Sequence, residues 1–465
     1  MERDRAANEE RERKKKMASL TVEEVKKRLV YHRPKMFYYD GIEGYTPIDY
    51  KSAEVRLRRA GCTRDEACNI ILELEERRVP KVYNALAGYP GGVTNIAGER
   101  VLVLKQTKLP AGSPGEWPTI KAILENMLDD PRNPQQIQTF YTLLKTARYR
   151  IRYALEHEGK LATIASPYSI FIGGKNIGKT KVLFNRIILP ILGGRYGSGK
   201  KVLTARNDQS FNAEIIGSEI VLIDDLKSEN TDMRGRIEYN LKELFYSAAV
   251  RIEPKGIDAS TAPLTQVGIH LVNEDDESMN ACPTINRNTQ DKINVFFTDK
   301  YHPKQAPPSM TEEEKESVNR LIEQELPAFS DFLDKYEIPE EIRDSRNGAT
   351  CYQHPRAAQL LQDISPEGEL LELLEQLLKN IALKAGEGKE TAFAPKRWKS
   401  AELVQRIKEC SFASSFRSLK ADNPRPLGRM LTKLAEERPD RVTKYGERAN
   451  QSFYSIALPM DGGAE

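Results

Sequence analysis

Between Phe171 and Thr180 the chain reads FIGGKNIGKT, so Gly173, Gly174, Lys175, Asn176, Ile177, Gly178, Lys179 and Thr180 fill the spacing G-x-x-x-x-G-K-[ST] at every fixed position. These residue types suit a nucleotide phosphate. Glycines let backbone N–H groups close around an anion with no side chain in the way, Lys179 supplies positive charge, and the Thr180 hydroxyl stands where a phosphate-bound Mg²⁺ can take it as a ligand. A second group follows. The apolar run Ile220-Val221-Leu222-Ile223 ends in Asp224 and Asp225. Asp224 could serve the Mg²⁺ shell, and Asp225 could orient or deprotonate an attacking water. Asn273 closes another apolar run and could hydrogen-bond the γ-phosphate or that water. The chemistry these residues imply is ATP hydrolysis with Mg²⁺.

Such side chains need a strand before the loop and a helix after it. Ser169 to Ile172 reads as a short buried strand, and Lys181 to Ile191 repeats apolar residues at helical spacing, which aims a helix dipole at the anion. Gly194 to Lys200 partly repeats the pattern but is followed by Lys201 instead of Ser or Thr, and is expected to be a basic surface loop. Asp232 to Ala249 reads as a helix. Val250 to Glu253 reads as a strand that turns at Pro254-Lys255-Gly256 and returns as Gln266 to Val272, a hairpin with Lys255 at its tip.

The chain has 465 residues, 39% hydrophobic and 30% charged, enough for roughly two to four domains. No apolar run is long enough to span a membrane and the charged start lacks a hydrophobic signal segment, so neither insertion nor secretion is expected. Five scattered cysteines without a C-x-x-C pair suit a cytoplasmic protein and speak against a zinc ribbon. Net charge is only +3.

We divide the chain into a flexible charged arm (1–17), a mostly helical N-terminal region (18–160), a phosphate-loop ATPase core (161–302), a linker with helical connector (303–390) and a winged-helix domain (391–465). Thr21 with Glu24, and Thr63 with Glu66, are capping boxes that open helices in the N-terminal region. In the last segment two helices, Ser400 to Lys408 and Phe412 to Leu419, precede a third that starts at Pro424. The third has Leu427, Met430, Leu431 and Leu434 on one face and Arg425, Arg429 and Lys433 on the other. A ribbon with Arg441, Lys444 and Arg448 follows. Residues 391–458 hold fourteen Lys and Arg against seven Asp and Glu, an excess that points to DNA, with a protein-docking domain as the alternative.

Phosphate loop, Asp-Asp strand, helix, hairpin with Glu253-Pro254-Lys255-Gly256 and a strand ending in Asn273 come in the order that resembles the superfamily three helicases. Within them the pattern looks most like the phage, plasmid and poxvirus primase-helicase group. Phe211-Asn212 and the stretch Leu86 to Trp117 are similar to segments of that group. The resemblance covers residues 80–300 and, less closely, 390–458. It implies an α/β fold with an AAA+-like core and a C-terminal winged helix, a homo-hexameric ring with ATP at each subunit interface, and 3′ to 5′ movement on single-stranded DNA. Duplex DNA would be a further partner, and a separate protein would act as primase. Lys179 and Thr180 would bind phosphate and Mg²⁺, Asp224 and Asp225 would serve Mg²⁺ and water, Asn273 would sense the γ-phosphate, and Lys255 would project into the pore. The family's Arg-Arg pair is missing. The chain reads Asn286-Arg287-Asn288-Thr289-Gln290-Asp291-Lys292, leaving Arg287 by chemistry or Lys292 by position as the trans-acting cation. The rival reading is a phosphate-loop regulator or origin-binding protein that holds duplex DNA without unwinding it.

Overall fold

The computed structural model describes residues 20–40, 44–96, 98–205, 213–228, 232–246, 250–252, 260–262, 265–283, 285, 289–299, 311–385, 397–446 and 452–457. These fall into two units. The first draws on Met1–Asp224, Tyr239–Leu271 and Lys292–Tyr352, the second on Asp225–Glu238, Val272–Asp291 and Gln353–Glu465.

The first unit begins with α1 (Val22–Arg28), α2 (Tyr50–Arg59) and α3 (Arg64–Glu76). Both Thr-x-x-Glu sequences form complete capping boxes, in which the threonine hydroxyl accepts the Glu24 or Glu66 amide and the carboxylate returns to the cap backbone. The helices cover an antiparallel sheet of β1 (Leu29–His32), β2 (Lys35–Tyr39) and β3 (Tyr45–Ile48), with Val25, Leu29, Met36, Tyr38, Leu57 and Ile71 in the core. A second sheet, ordered β4 (Lys81–Ala85), β6 (Glu99–Lys105), β5 (Gly92–Ile96), packs Leu102 against Val30, Phe37 and Val79. Among its described residues the N-terminal region therefore carries six strands beside its helices. Its aromatic and β-branched runs are short, and they satisfy their backbone groups by pairing with near neighbours.

Helices α4 (Pro118–Leu128) and α5 (Gln135–Glu156) lead to β7 (Tyr168–Gly173), the strand of the glycine loop, and then to α6 (Lys179–Ile188). The central sheet has five strands in the order β13 (Ile293–Thr298), β7, β12 (Val267–Asn273), β9 (Ile220–Asp224), β8 (Tyr196–Ser198), and the pairs β13–β7, β12–β9 and β9–β8 run parallel. Near-continuous burial along β7, β9, β12 and β13 is the pattern of a sheet covered on both faces. On one face Phe171, Leu222, Ile269 and Phe296 pack with Leu124, Phe140, Leu144 and Leu183, and with Ile322 and Phe329 of a long helix, Glu312–Lys335. Buried Arg148 on α5 ties this layer together. It donates to Ile191 O (3.0 Å) and Pro110 O (3.2 Å) and, with Arg152, pairs with Asp334 at 3.3 and 3.0 Å. Burial works against the Asp334 charge, but the two guanidiniums outweigh it and hold the carboxyl below its ordinary value.

Three sequence expectations change here. Tyr196–Ser198, inside the anticipated surface loop, is the edge strand β8, and Gly199 packs so close that a Cβ would stand 2.7 Å from Val221. The hairpin is formed by β10 (Val250–Ile252) with β11 (Ser260–Ala262), because the Gln266 to Val272 run is committed to the central sheet as β12. Lys255 lies outside the described residues. Helix α6 is wound as a π-helix, in which the Leu189 amide reaches back to Phe184 O.

Helix α7 spans Asp232–Tyr246, the long helix Glu312–Lys335 is α8, and β14 (Arg343–Asp344) pairs with β15 (Gly348–Ala349). The second unit contains α9 (Pro355–Asp363), α10 (Pro366–Ala385), β16 (Arg397–Lys399), α11 (Ser400–Lys408), α12 (Ala413–Ser418), α13 (Pro424–Glu437), β17 (Val442–Tyr445) and β18 (Phe453–Ile456). Leu370, Leu374 and Leu377 of α10 share a core with Trp398, Leu403, Phe416, Leu427, Leu431, Leu434 and Tyr454. The expected connector is thus divided. Helix α8 buries its apolar stripe in the first unit, and α10 buries its stripe in the second. No helix among the described residues is long and apolar enough to cross a membrane.

Candidate functional site

The glycine loop leaves the C-terminal end of β7, which lies between β13 and β12, while the chain crosses on to the far edge at β8. A crevice beside such a switch in strand order is the usual ligand position of an open α/β sheet. Gly173 admits no side chain, since a Cβ there would collide with Thr298 O and Oγ1 and approach Ile177 Cδ1 at 2.7 Å. Thr298 also donates its hydroxyl to Ile172 O at 3.0 Å, clamping the strand end. Asn176 (φ 61°) and Gly178 (φ 95°) take left-handed backbone angles that turn the chain back into α6.

Lys179 is 6% exposed, and its ammonium lies inside the loop, donating to Gly173 O at 2.6 Å and Gly174 O at 2.8 Å. The next residue, Thr180, donates its hydroxyl to Asp224 Oδ2 at 3.1 Å. Residues far apart in sequence thus meet at the C-terminal ends of β7 and β9. Hydroxyl and carboxylate are hard oxygen donors of the kind Mg²⁺ takes from a protein while keeping its remaining positions for water and phosphate, so the donor set fits that ion. No group of three or more His, Cys, Asp or Glu arranged for a metal occurs among the described residues.

Asp225 and Asn273 belong to the second unit. Asp225 has a left-handed φ of 49°, so the chain turns sharply after β9. Near it in sequence, Lys227 pairs with Glu277 at 3.0 Å, and Ser228 N donates to Glu277 O. The Lys227 ammonium is held above its ordinary pKa, first by the hydrogen bond to Glu277 and also by Asp275 and Asp225. Beyond Asn273, Glu274 pairs with Arg356 at 3.4 Å, and Asp275 caps the turn Asp276–Met279 through the Ser278 amide.

Lys292 precedes β13, and its carbonyl accepts the Tyr168 amide at 3.0 Å. It therefore sits at the N-terminal end of the sheet, a strand length of roughly 20 Å from the loop of its own chain. Arg287 lies outside the described residues. His270 on β12 is fully buried, with neither ring nitrogen hydrogen-bonded among the described residues, and burial lowers its pKa to about 3.

In the C-terminal domain Leu427, Leu431 and Leu434 face the core, and Arg425 and Arg429 are exposed. Two expected DNA contacts are used differently. Lys433 pairs with Glu367 of α10 at 2.6 Å, and Arg441 pairs with Glu375 of the same helix. Lys444 stands opposite Tyr454 in the β17–β18 register, on the face that also carries Trp398 and Val442, and is half-buried. Arg448 lies outside the described residues. Sequence reasoning missed Thr298 and the β16 cations Arg397 and Lys399. Strand alternation of Arg397-Trp398-Lys399 around a buried tryptophan was the available signal for the latter pair.

No protein-family model matches the chain, and no curated protein does either. Among solved structures, the apo NrS-1 C-terminal region is similar at a TM-score of 0.52 and 12% identity, covering 93% of this chain and 96% of that one. A further form of the same region matches at TM-score 0.50 and 11% identity, covering 93% and 96%. The JCV helicase shares 17% identity over 58% of this chain and 64% of its own, and at a TM-score of 0.29 this likeness is too partial to bear on the fold. The fold and site together define a mixed α/β protein with parallel strand pairs and a glycine loop at the end of one central strand, and its overall architecture is shared with the NrS-1 C-terminal region.

Proposed function

We propose that the chain is an ATP-dependent DNA helicase that assembles as a ring, moves on single-stranded DNA and serves replication of a phage, plasmid or integrated element. The observation that carries this reading is the Thr180–Asp224 contact beside a loop whose lysine is already held in place. Lys179 would exchange the Gly173 and Gly174 carbonyls for phosphate oxygens, a switch between two sets of acceptors that needs little movement of its stem. Thr180 and Asp224 would hold Mg²⁺, which when bound neutralises charge on the β- and γ-phosphates. Asp225 would orient or deprotonate the attacking water, and Asn273 would contact the γ-phosphate.

The place of Lys292 at the opposite end of the sheet supports a role toward a neighbouring subunit, and Arg287 is the alternative finger. Lys255, which falls between β10 and β11 in sequence, would meet the DNA backbone in the pore. The order of β16, three helices, and β17 with β18 supports a winged helix, in which α13 presents Arg425 and Arg429 to duplex DNA. A separate primase would supply primers.

The test is steady-state hydrolysis of Mg-ATP with and without single-stranded DNA, run with strand displacement on a forked duplex and a mass measurement with and without nucleotide. DNA-stimulated turnover, displacement and a multimer are expected. Slow hydrolysis indifferent to single strands would instead indicate a nucleotide-switched duplex-binding regulator.

A further inference from the structure

The C-terminal sheet has a second face, and its composition is unusual for a solvated one. In the register of β16, β18 and β17, Arg397 is opposite Ser455, which is opposite Thr443, and Lys399 is opposite Phe453, which is opposite Tyr445. Because directly paired residues share a face, these six form one surface. The alternate set, with Trp398, Val442, Tyr454 and Ile456, closes the core of the domain. Phenylalanine and tyrosine thus stand side by side on the outward face, half-buried. The Arg397 guanidinium lies over the Tyr445 ring at 4.2 Å, and the Lys399 ammonium lies over the Phe453 ring at 5.2 Å. Both cations are exposed, and no carboxylate among the described residues forms an ion pair with either.

We propose that this outer face is a stacking surface for single-stranded nucleic acid, distinct from helix α13; the proposal rests on the DNA-directed reading of the chain. Paired rings offer planar surfaces to bases, and a guanidinium already stacked on a ring extends that plane outward. The two exposed cations complement a phosphate backbone running beside the bases. The ligand is an unpaired strand, because bases within a duplex already stack on one another and cannot reach a ring on a sheet face.

The experiment uses the full chain and a short oligothymidylate carrying one 5-iodouracil. Binding is followed by fluorescence anisotropy over a range of salt, and photo-adducts are mapped by mass spectrometry. Adducts are expected at Tyr445 or Phe453. Replacing both cations, Arg397→Gln with Lys399→Gln, should lower the slope of log affinity against log salt by about 1.4, the share of two phosphate contacts on a single strand. Tyr445→Leu should weaken single-strand binding roughly tenfold and leave duplex binding unchanged, while Tyr445→Phe, which keeps the ring, should retain affinity and adduct yield.

Adducts found only outside the sheet, an unchanged salt slope, or equal loss in Tyr445→Phe and Tyr445→Leu would each overturn the proposal. So would displacement of the oligonucleotide by polyglutamate at matched charge, which would assign the face to an acidic protein partner. Mg-ATP hydrolysis measured on the same preparations separates the two claims. Hydrolysis without sheet adducts removes the stacking surface and leaves the motor, and sheet adducts without hydrolysis do the reverse.

Discussion

The glycine loop and helix α13 each carry chemistry-bearing side chains at regular spacing, yet tertiary structure treats them differently. In the loop, Lys179 and Thr180 follow a strand end directly, and local backbone geometry delivers both to one place, where Asp224 meets Thr180 from a distant strand. On α13 the spacing puts Arg425, Arg429 and Lys433 on one side, but α10 packs alongside and Glu367 takes Lys433. A contiguous motif keeps its chemistry because the same few peptide units make the whole geometry. A periodic row of charges is only an offer, and whichever element packs beside it decides which charges remain available.

The largest expected effect is at the loop. Lys179→Ala should reduce ATP hydrolysis by at least about 100-fold, because the charge that meets the phosphates is lost. Asp225→Asn should leave nucleotide binding intact while slowing turnover. Steady-state hydrolysis and nucleotide titration read both, and full activity in Lys179→Ala would erase the loop's side of the comparison.

Gly173→Ala tests how tightly the strand end and the loop are packed. The added Cβ would press on Thr298 and Ile177, for an expected loss of about 2 kcal/mol in urea unfolding and weakened nucleotide binding. Gly174→Ala should be tolerated, since its nearest neighbour would be Ile177 Cγ2 at 3.4 Å.

The central sheet supplies a pH prediction. His270 is neutral when folded, with its pKa lowered to about 3, and takes up a proton on unfolding below its ordinary value of 6.5. The folded state is therefore fully favoured above 6.5 and loses stability as pH falls from 6.5 toward 3, by up to about 1.4 kcal/mol per pH unit. Urea midpoints at pH 7 and pH 5 should differ accordingly, and His270→Leu should flatten that difference.

The remaining substitutions sharpen the helix side, and the smallest effect is at Lys433. Arg425→Glu with Arg429→Glu should abolish most duplex binding at low salt, measured by anisotropy on the full chain. Lys433→Ala should leave that affinity nearly unchanged and cost at most about 1 kcal/mol of stability, as expected for a partly exposed ion pair. If Lys433→Ala weakened DNA binding as strongly as the arginine pair, the assignment of Lys433 to α10 would fall.

Sequence by itself was enough for whatever is written in consecutive residues. The two capping boxes, the glycine loop with its strand, the apolar run ending at Asp224, and the three C-terminal helices with their leucine face all follow from local propensity and hydrophobic period. In the N-terminal region β1, β4 and β5 escaped notice because runs of four or five residues carry too little periodicity to be told from loops. Only tertiary structure could decide that Gln266 to Val272 belongs to the central sheet and not to a hairpin, since strand pairing depends on which distant edge is open. The same holds for the charges. Side-chain type and spacing are local, but the fate of Lys433, Arg441, Lys444, Arg397 and Lys399 was set by long-range packing and strand register, because an ion pair or a ring stack requires a partner that the backbone brings in from elsewhere in the chain.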